Sequence, residues 1–288
     1  MTPIVRPPVA IALLMVAMTS IQIGAATAKG LFPEVGAVGV SALRLAFAAL
    51  IVLVVFRPWR SPPKRRDWPV ILVYGLALGA MNLLFYLAIS RIPLGVAVGL
   101  EFAGPLSVAL VSARRPLDLV WVGLAVAGLI MLTPLVGGGI DPLGAVLAMA
   151  AGGFWAVYIL FGQKAGDAHG AGSAAWGMLI AALLVFPIGV IETRGALFSP
   201  AVLPGAFAVA LLSSALPYSL EMIALRALPA GTFGVLMSAE PALGALSGGI
   251  ILHERLSPIR WLAIIAVVAA SAGAGLTLKP RKPLAPEP

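Results

Sequence analysis

The 288-residue chain has no cysteine and only two histidines, and Asp, Glu, Lys and Arg together make up 10% of it. The first absence excludes disulfide scaffolds, Cys-based metal sites, Cys nucleophiles and lipid attachment through Cys. The shortage of charge excludes most soluble folds, since an ordinary soluble domain is about 25% charged. His253-Glu254 lacks the second histidine of an H-E-x-x-H metal site, because position 257 is Ser. Gly137-Gly138-Gly139 lacks the Lys of a phosphate loop, and no Gly-x-Ser-x-Gly elbow is evident. The chain is therefore expected to be no enzyme, to hold no metal and to need no cofactor, and no nucleotide is expected to drive it directly.

What is present is apolar: 61% hydrophobic residues and a mean hydropathy of +1.06. About 20 consecutive apolar residues cross a bilayer as a helix. Stretches of that length run from Val9 to Ala28, Val38 to Phe56, Pro69 to Ser90, Leu94 to Ser112, Leu119 to Val136, Pro142 to Phe161, Ala174 to Ile191, Val202 to Ile223, Thr232 to Leu252 and Ile259 to Leu278. The expected fold is an all-α integral membrane protein of ten transmembrane helices, with no room for a soluble domain. Arg6 and Ala26-Thr27-Ala28 imitate a secretory signal, but the apolar run between them exceeds the roughly 7 to 15 residues of a signal core. It also contains Thr19, Ser20 and Gln22, so the first span is expected to be kept.

A net charge of +8 and a pI near 10.4 would point to nucleic acid in a soluble protein. Here the basic residues sit at span ends. With the N-terminus inside, thirteen Lys and Arg fall on the inner side, including Arg57, Arg60, Lys64, Arg65 and Arg66 of one loop. Five fall outside, namely Lys29, Arg91, Arg194, Arg255 and Arg260. Positive charge stays on the cytoplasmic side, so both termini are expected in the cytoplasm, with the lipid bilayer and no nucleic acid as partner. Oligomeric state is not readable.

Ala88-Ile89-Ser90-Arg91-Ile92-Pro93 is echoed by Ala224-Leu225-Arg226-Ala227-Leu228-Pro229, and each precedes a Gly-rich span carrying a Glu. Five spans per half is an odd number, so the second half enters the membrane upside down. The expected units are an inverted pair, residues 1–138 and 139–279, with a cytoplasmic tail at 280–288. Such a pair sets a substrate site near the midplane and exposes it alternately to each side.

Charges inside the spans are Arg44, Glu101, Glu221 and Glu240. A central Asp, Lys or Arg costs roughly 2.5–3.5 kcal/mol, so an intramembrane ionisable group needs a polar path or a partner. Arg44 and Glu101 lie at similar depth and are expected to form a structural ion pair. Glu240 and Glu221 are the expected proton carriers. Around them, spacings of three and four align Gly75, Gly79, Asn82 and Tyr86 on one face, and Ser214, Tyr218 and Glu221 on another. Gln22, Asn82, Tyr86, Glu101, Trp155, Tyr158, Ser214 and Tyr218 are the expected substrate-binding residues. A zwitterion suits this inventory, its ammonium meeting a Glu and its carboxylate meeting the Asn and Tyr donors.

The ten-span double unit, Trp155-Ala156-Val157-Tyr158 and His253-Glu254-Arg255-Leu256-Ser257-Pro258 together resemble the EamA-like drug/metabolite transporter superfamily, which carries Gly-Glu where His253-Glu254 stands. Within it, Gly79-Ala80-Met81-Asn82, Leu100-Glu101-Phe102-Ala103-Gly104-Pro105, Ala215-Leu216-Pro217-Tyr218-Ser219-Leu220-Glu221-Met222 and Met237-Ser238-Ala239-Glu240-Pro241 resemble the bacterial threonine/homoserine exporter group. The resemblance covers nearly the whole chain. It implies an inner-membrane secondary transporter that exports small polar amino acids by proton antiport. Exporters of another metabolite or drug, and a channel, are the alternatives.

Overall fold

The computed structural model describes residues 6–105, 107, 116–132, 139–169, 171–217, 220, 224, 236–237 and 239–277. Among the described residues the chain is helical, with no strand. The helices are α1 (Pro7–Gly30), α2 (Phe32–Phe56), α3 (Trp68–Ile89), α4 (Leu94–Glu101), α5 (Pro116–Leu132), α6 (Pro142–His169), α7 (Ala171–Thr193), α8 (Leu203–Ala210), α9 (Glu240–Ile251) and α10 (Pro258–Thr277). A π-helical turn, Leu211–Ala215, continues α8.

Proline sets where these helices begin. It occupies one or both of the first two positions of α1, α2, α3, α5, α6, α8, α9 and α10. There its missing N–H costs nothing and its fixed φ suits the first turn. Pro187, by contrast, lies inside α7.

Among the described residues five helices are long and apolar enough to cross a membrane: Pro8–Gly30, Phe32–Phe56, Trp68–Ile89, Pro142–Gly162 and Gly172–Thr193. Leu94–Pro105, Gly123–Leu132, Leu203–Ser214 and Pro258–Ala270 are shorter apolar helices. The expected fourth, fifth, eighth and ninth spans run partly through residues outside the described ones. Two boundaries differ from expectation. Helix α2 starts at Phe32 rather than Val38 and bends at Gly36, whose φ of 68° favours glycine. Helix α6 continues past Phe161 to His169.

Polarity is arranged inside out. Ile191 is 77% and Ile250 73% exposed, whereas Glu101 and Glu240 are 7% and 5% exposed. An apolar exterior around buried charge is stable in lipid and not in water. Helix α4 is the innermost element, with every residue from Leu94 to Glu101 buried. A side-chain Cβ at Gly95 would come within 2.5 Å of the Ala245 Cα on α9. One at Gly75 on α3 would come within 2.8 Å of the Gly177 carbonyl on α7. These glycines serve close helix packing.

Helix α2 packs on α7 and α8, α3 on α6 and α7, and α4 on α6 and α9. Helix α1 packs on α8, the π turn and α9, and α5 packs on α10. After α9 the chain turns sharply through His253, whose φ of 56° is left-handed. That conformation favours glycine, the residue of the resembling superfamily at this position.

Candidate functional site

The polar side chains converge on one cavity of about 210 Å³ inside the bundle. Helix α1 contributes Gln22, α2 Arg44, α3 Asn82 and Tyr86, α4 Glu101, α6 Trp155 and Tyr158, and α9 Glu240, with Ser213 from the π turn. Ile21, Ala25, Met81, Phe85, Val98 and Met237 complete the wall.

Arg44 is the best-anchored charge. Its Nη1 donates to Asn82 Oδ1, and its Nη2 donates to the Ser213 carbonyl at 3.2 Å. Asn82 is itself fixed, its Nδ2 donating to the Leu78 carbonyl one turn back at 2.8 Å. The guanidinium also lies 5.5 Å from the centre of the Tyr86 ring, a cation–π distance. Tyr86 is held in turn by Phe32 and Phe85, each with ring centroids 6.1 Å away.

The expected direct ion pair between Arg44 and Glu101 is not formed. Both line the cavity, but among the described residues Glu101 makes no ion pair or side-chain hydrogen bond. The physical reason is competition: Asn82 and a freed backbone carbonyl take the guanidinium. That carbonyl comes from the π turn, whose wider winding releases backbone groups from the regular ladder. Leu212 offers a second one, which accepts Ser20 Oγ at 2.7 Å.

The same turn corrects the expectation for Ser214. Counting by three and four assumes regular α winding, and the π turn shifts the helix face. Ser213 therefore reaches the cavity, while Ser214 is buried but does not line it. Tyr218 and Glu221 lie outside the described residues.

The two carboxylates sit at opposite kinds of helix end. Glu101 closes α4 and Glu240 opens α9, where the helix dipole favours negative charge. Trp155 meets Phe102 edge to face at 5.7 Å, and Tyr158 stacks on Tyr74 at 5.0 Å. An acidic side formed by Glu101 and Glu240 thus shares one small chamber with a basic side built on Arg44. Among the described residues Gln22 Oε1 and Arg44 Nε are buried there without a hydrogen-bond partner, an arrangement that costs about 1–3 kcal/mol per group until something meets it. Among the described residues no group of His, Asp and Glu could hold a metal ion.

A polar chamber inside a lipid-compatible bundle is the arrangement a membrane transporter needs. The EamA-like transporter family model matches residues 142–276. The chain is 55% identical over 271 residues to the threonine/homoserine exporter RhtA of Escherichia coli (strain K12), covering 93% of this chain and 92% of that protein. The RhtA of Salmonella typhimurium (strain LT2) matches to the same extent. An uncharacterized transporter of Bacillus subtilis, YwfM, is 27% identical, covering 83% of this chain. A crystal structure of a protein with 19% identity covers 93% of the chain at a TM-score of 0.58, a likeness of fold alone. The chain belongs to the EamA-like transporter family, and within it to the threonine/homoserine exporter group. It is a multi-pass membrane protein and a transporter, not an enzyme.

Proposed function

We propose that this protein exports small polar amino acids of the threonine and homoserine kind across the bacterial inner membrane, by alternating access and in exchange for protons. The observation that carries this reading is the chamber with acids on one side and an anchored arginine on the other. The substrate's ammonium meets Glu101 and Glu240. Its carboxylate meets Arg44, with Asn82, Tyr86 and Tyr158 beside it, and Trp155 forms an apolar wall. Gln22 and Ser213 supply neutral polar groups for a side-chain hydroxyl.

Size supports the substrate class. Drug-sized ligands occupy pockets of about 300–1,000 Å³, whereas this chamber has about 210 Å³. Proton exchange follows from the same carboxylates, because a proton and an ammonium compete for them. Glu240 holds the coupling role, with Glu221 as the second carboxylate assigned to it.

The pairing of helices supports the inverted repeat of ten spans. Exchange α1 to α5 with α6 to α10 in order, and the most extensive helix contacts map onto one another. The pairs α2–α7, α4–α9 and α5–α10 map onto themselves. Likewise α3–α6 becomes α8–α1, α3–α7 becomes α8–α2, and α1–α9 becomes α6–α4. A twofold relation between halves accounts for this pattern, and the excess of Lys and Arg on one side supports cytoplasmic termini.

Counterflow of labelled threonine in proteoliposomes tests the reading. Stimulation of uptake by internal threonine or homoserine, with an opposing proton movement, is the expected result. Conduction without counterflow would overturn it in favour of a channel.

A further inference from the structure

At one end of the bundle, about one helical turn beyond the cavity residues Ala25 and Val98, three segments that are distant in sequence are tied by a single carboxylate. Lys29, at the last turn of α1, places its Nζ 2.6 Å from Glu254 Oε1. The same Nζ donates to the Ile92 carbonyl at 3.2 Å. The other Glu254 oxygen, Oε2, accepts the Leu94 backbone N–H at 2.8 Å. Leu94 is the first residue of α4, so Glu254 caps that helix at the end where its dipole favours a negative charge. The Lys29 and Glu254 side chains are only 22% and 14% exposed, so water screens this pair less than a surface pair.

The backbone is shaped to make this contact. His253 takes the left-handed conformation, and the Glu254 N–H returns to the Gly248 carbonyl at 3.1 Å. A Cβ at Gly248 would come within 2.5 Å of Glu254 Oε2, so the missing side chain there leaves the carboxylate its place. A second tie lies at the same end: Arg91, in the turn before α4, bonds Asp141 at the start of α6 at 3.0 Å. Helix α4 connects this end to the cavity. It runs eight residues from Leu94 to Glu101, a rise of about 10 Å at 1.5 Å per residue step.

We propose that Lys29 and Glu254 form a latch that closes this end of the transporter, and that Glu254 positions Glu101 through α4. The idea rests on the transport reading, in whose topology this end faces outward. Glu254 belongs to the second half of the chain, Lys29 and α4 to the first. A motion that opens the cavity outward by separating the halves has to break both oxygens' contacts. Releasing Leu94 at the same moment frees the helix that carries Glu101, so opening and substrate release are one event. Glu254 is here a positioning residue, since it touches no substrate.

The chain's lack of cysteine makes the test direct. Ala25, small and on the cavity wall, is replaced by cysteine as a reporter and labelled with a membrane-impermeant charged maleimide added outside right-side-out cells. On that background E254Q and K29M are each expected to raise the labelling rate at least about tenfold, the shift given by losing one charge-assisted hydrogen bond. The exchanged pair K29E/E254K is expected to bring the rate part of the way back, because it restores the ion pair but not the cap on α4. Unchanged labelling in both single variants would overturn the latch. If E254Q fails to reach the membrane, K29M decides alone. Labelling needs no substrate, so a latch that responds while threonine counterflow fails removes only the substrate reading, and the converse removes only the latch.

Discussion

Gly152 of α6 lies directly against the main-chain carbonyl of Glu101, so close that a methyl group does not fit between them. The carboxylate's position is therefore fixed from behind by the absence of a side chain on another helix. Gly152→Ala is expected to push the end of α4 away at a cost of about 1–3 kcal/mol, the usual range for overpacking. Counterflow by the purified variant should fall at least tenfold, while Gly153→Ala, at an exposed neighbour with open space, should leave it within a factor of two, on the order of ±0.5 kcal/mol.

Arg44 donates to two acceptors set at an angle, Asn82 Oδ1 and the Ser213 carbonyl. Lysine has the charge but not the fork. Arg44→Lys is expected to raise the half-saturating threonine concentration by roughly tenfold or more, the equivalent of one charged hydrogen bond, with protein levels in the membrane unchanged. Asn82→Ala should do the same through loss of the anchor.

If protons and ammonium share the carboxylates, removing the titrating oxygen separates binding from coupling. Glu240→Gln in proteoliposomes should still exchange labelled threonine but lose the dependence of exchange on an imposed pH gradient. Retention of full proton flux by both Glu240→Gln and Glu221→Gln would remove these residues from the coupling role.

At the surface, the Arg91 hydrogen bond holds the Asp141 carboxyl below its ordinary range, helped by the backbone N–H groups of Leu143 and Gly144 and opposed by slight desolvation. A depressed carboxyl contributes above its unfolded value, about 3.9, and that contribution disappears as pH falls through the lower folded value. The difference in thermal stability between the parent and Asp141→Asn is therefore expected to stay flat from about pH 7 to pH 5 and to vanish only below about pH 4.

Ser213→Ala and Ser214→Ala offer a comparison within one turn. Only the first removes a hydroxyl from a cavity residue. It should weaken threonine more than valine in a competition assay, by about fivefold, in line with one neutral hydrogen bond of about 1 kcal/mol. Ser214→Ala should leave the ratio unchanged.

The membrane character and the converging residues were legible because lipid makes polarity rare and therefore informative. Gln22, Asn82, Tyr86, Glu101, Trp155, Tyr158 and Glu240 all stood out as polar or aromatic groups in apolar runs, and all line one cavity. Met81, Phe85 and Val98 line it too, yet nothing separates an apolar lining residue from an apolar lipid-facing one in a sequence of this kind. The Arg44 partner was misread because depth along two helices says nothing about rotation around them. Backbone acceptors such as the Ser213 carbonyl carry no sequence signal at all. The role of Glu254 was hidden for a related reason: it bonds a backbone N–H, and every residue but proline has one.

The π turn also has a bearing on how such transporters change. Because five residues, Leu211–Ala215, hold the winding that presents Ser213, and a π turn takes up about one residue more than a regular turn, a single-residue deletion there would let the winding return to ordinary pitch and change which residue of the turn faces the chamber. The chamber's wall would then be rewritten with no lining residue replaced. Gain or loss of one codon in this stretch is thus a short route from one selectivity to another.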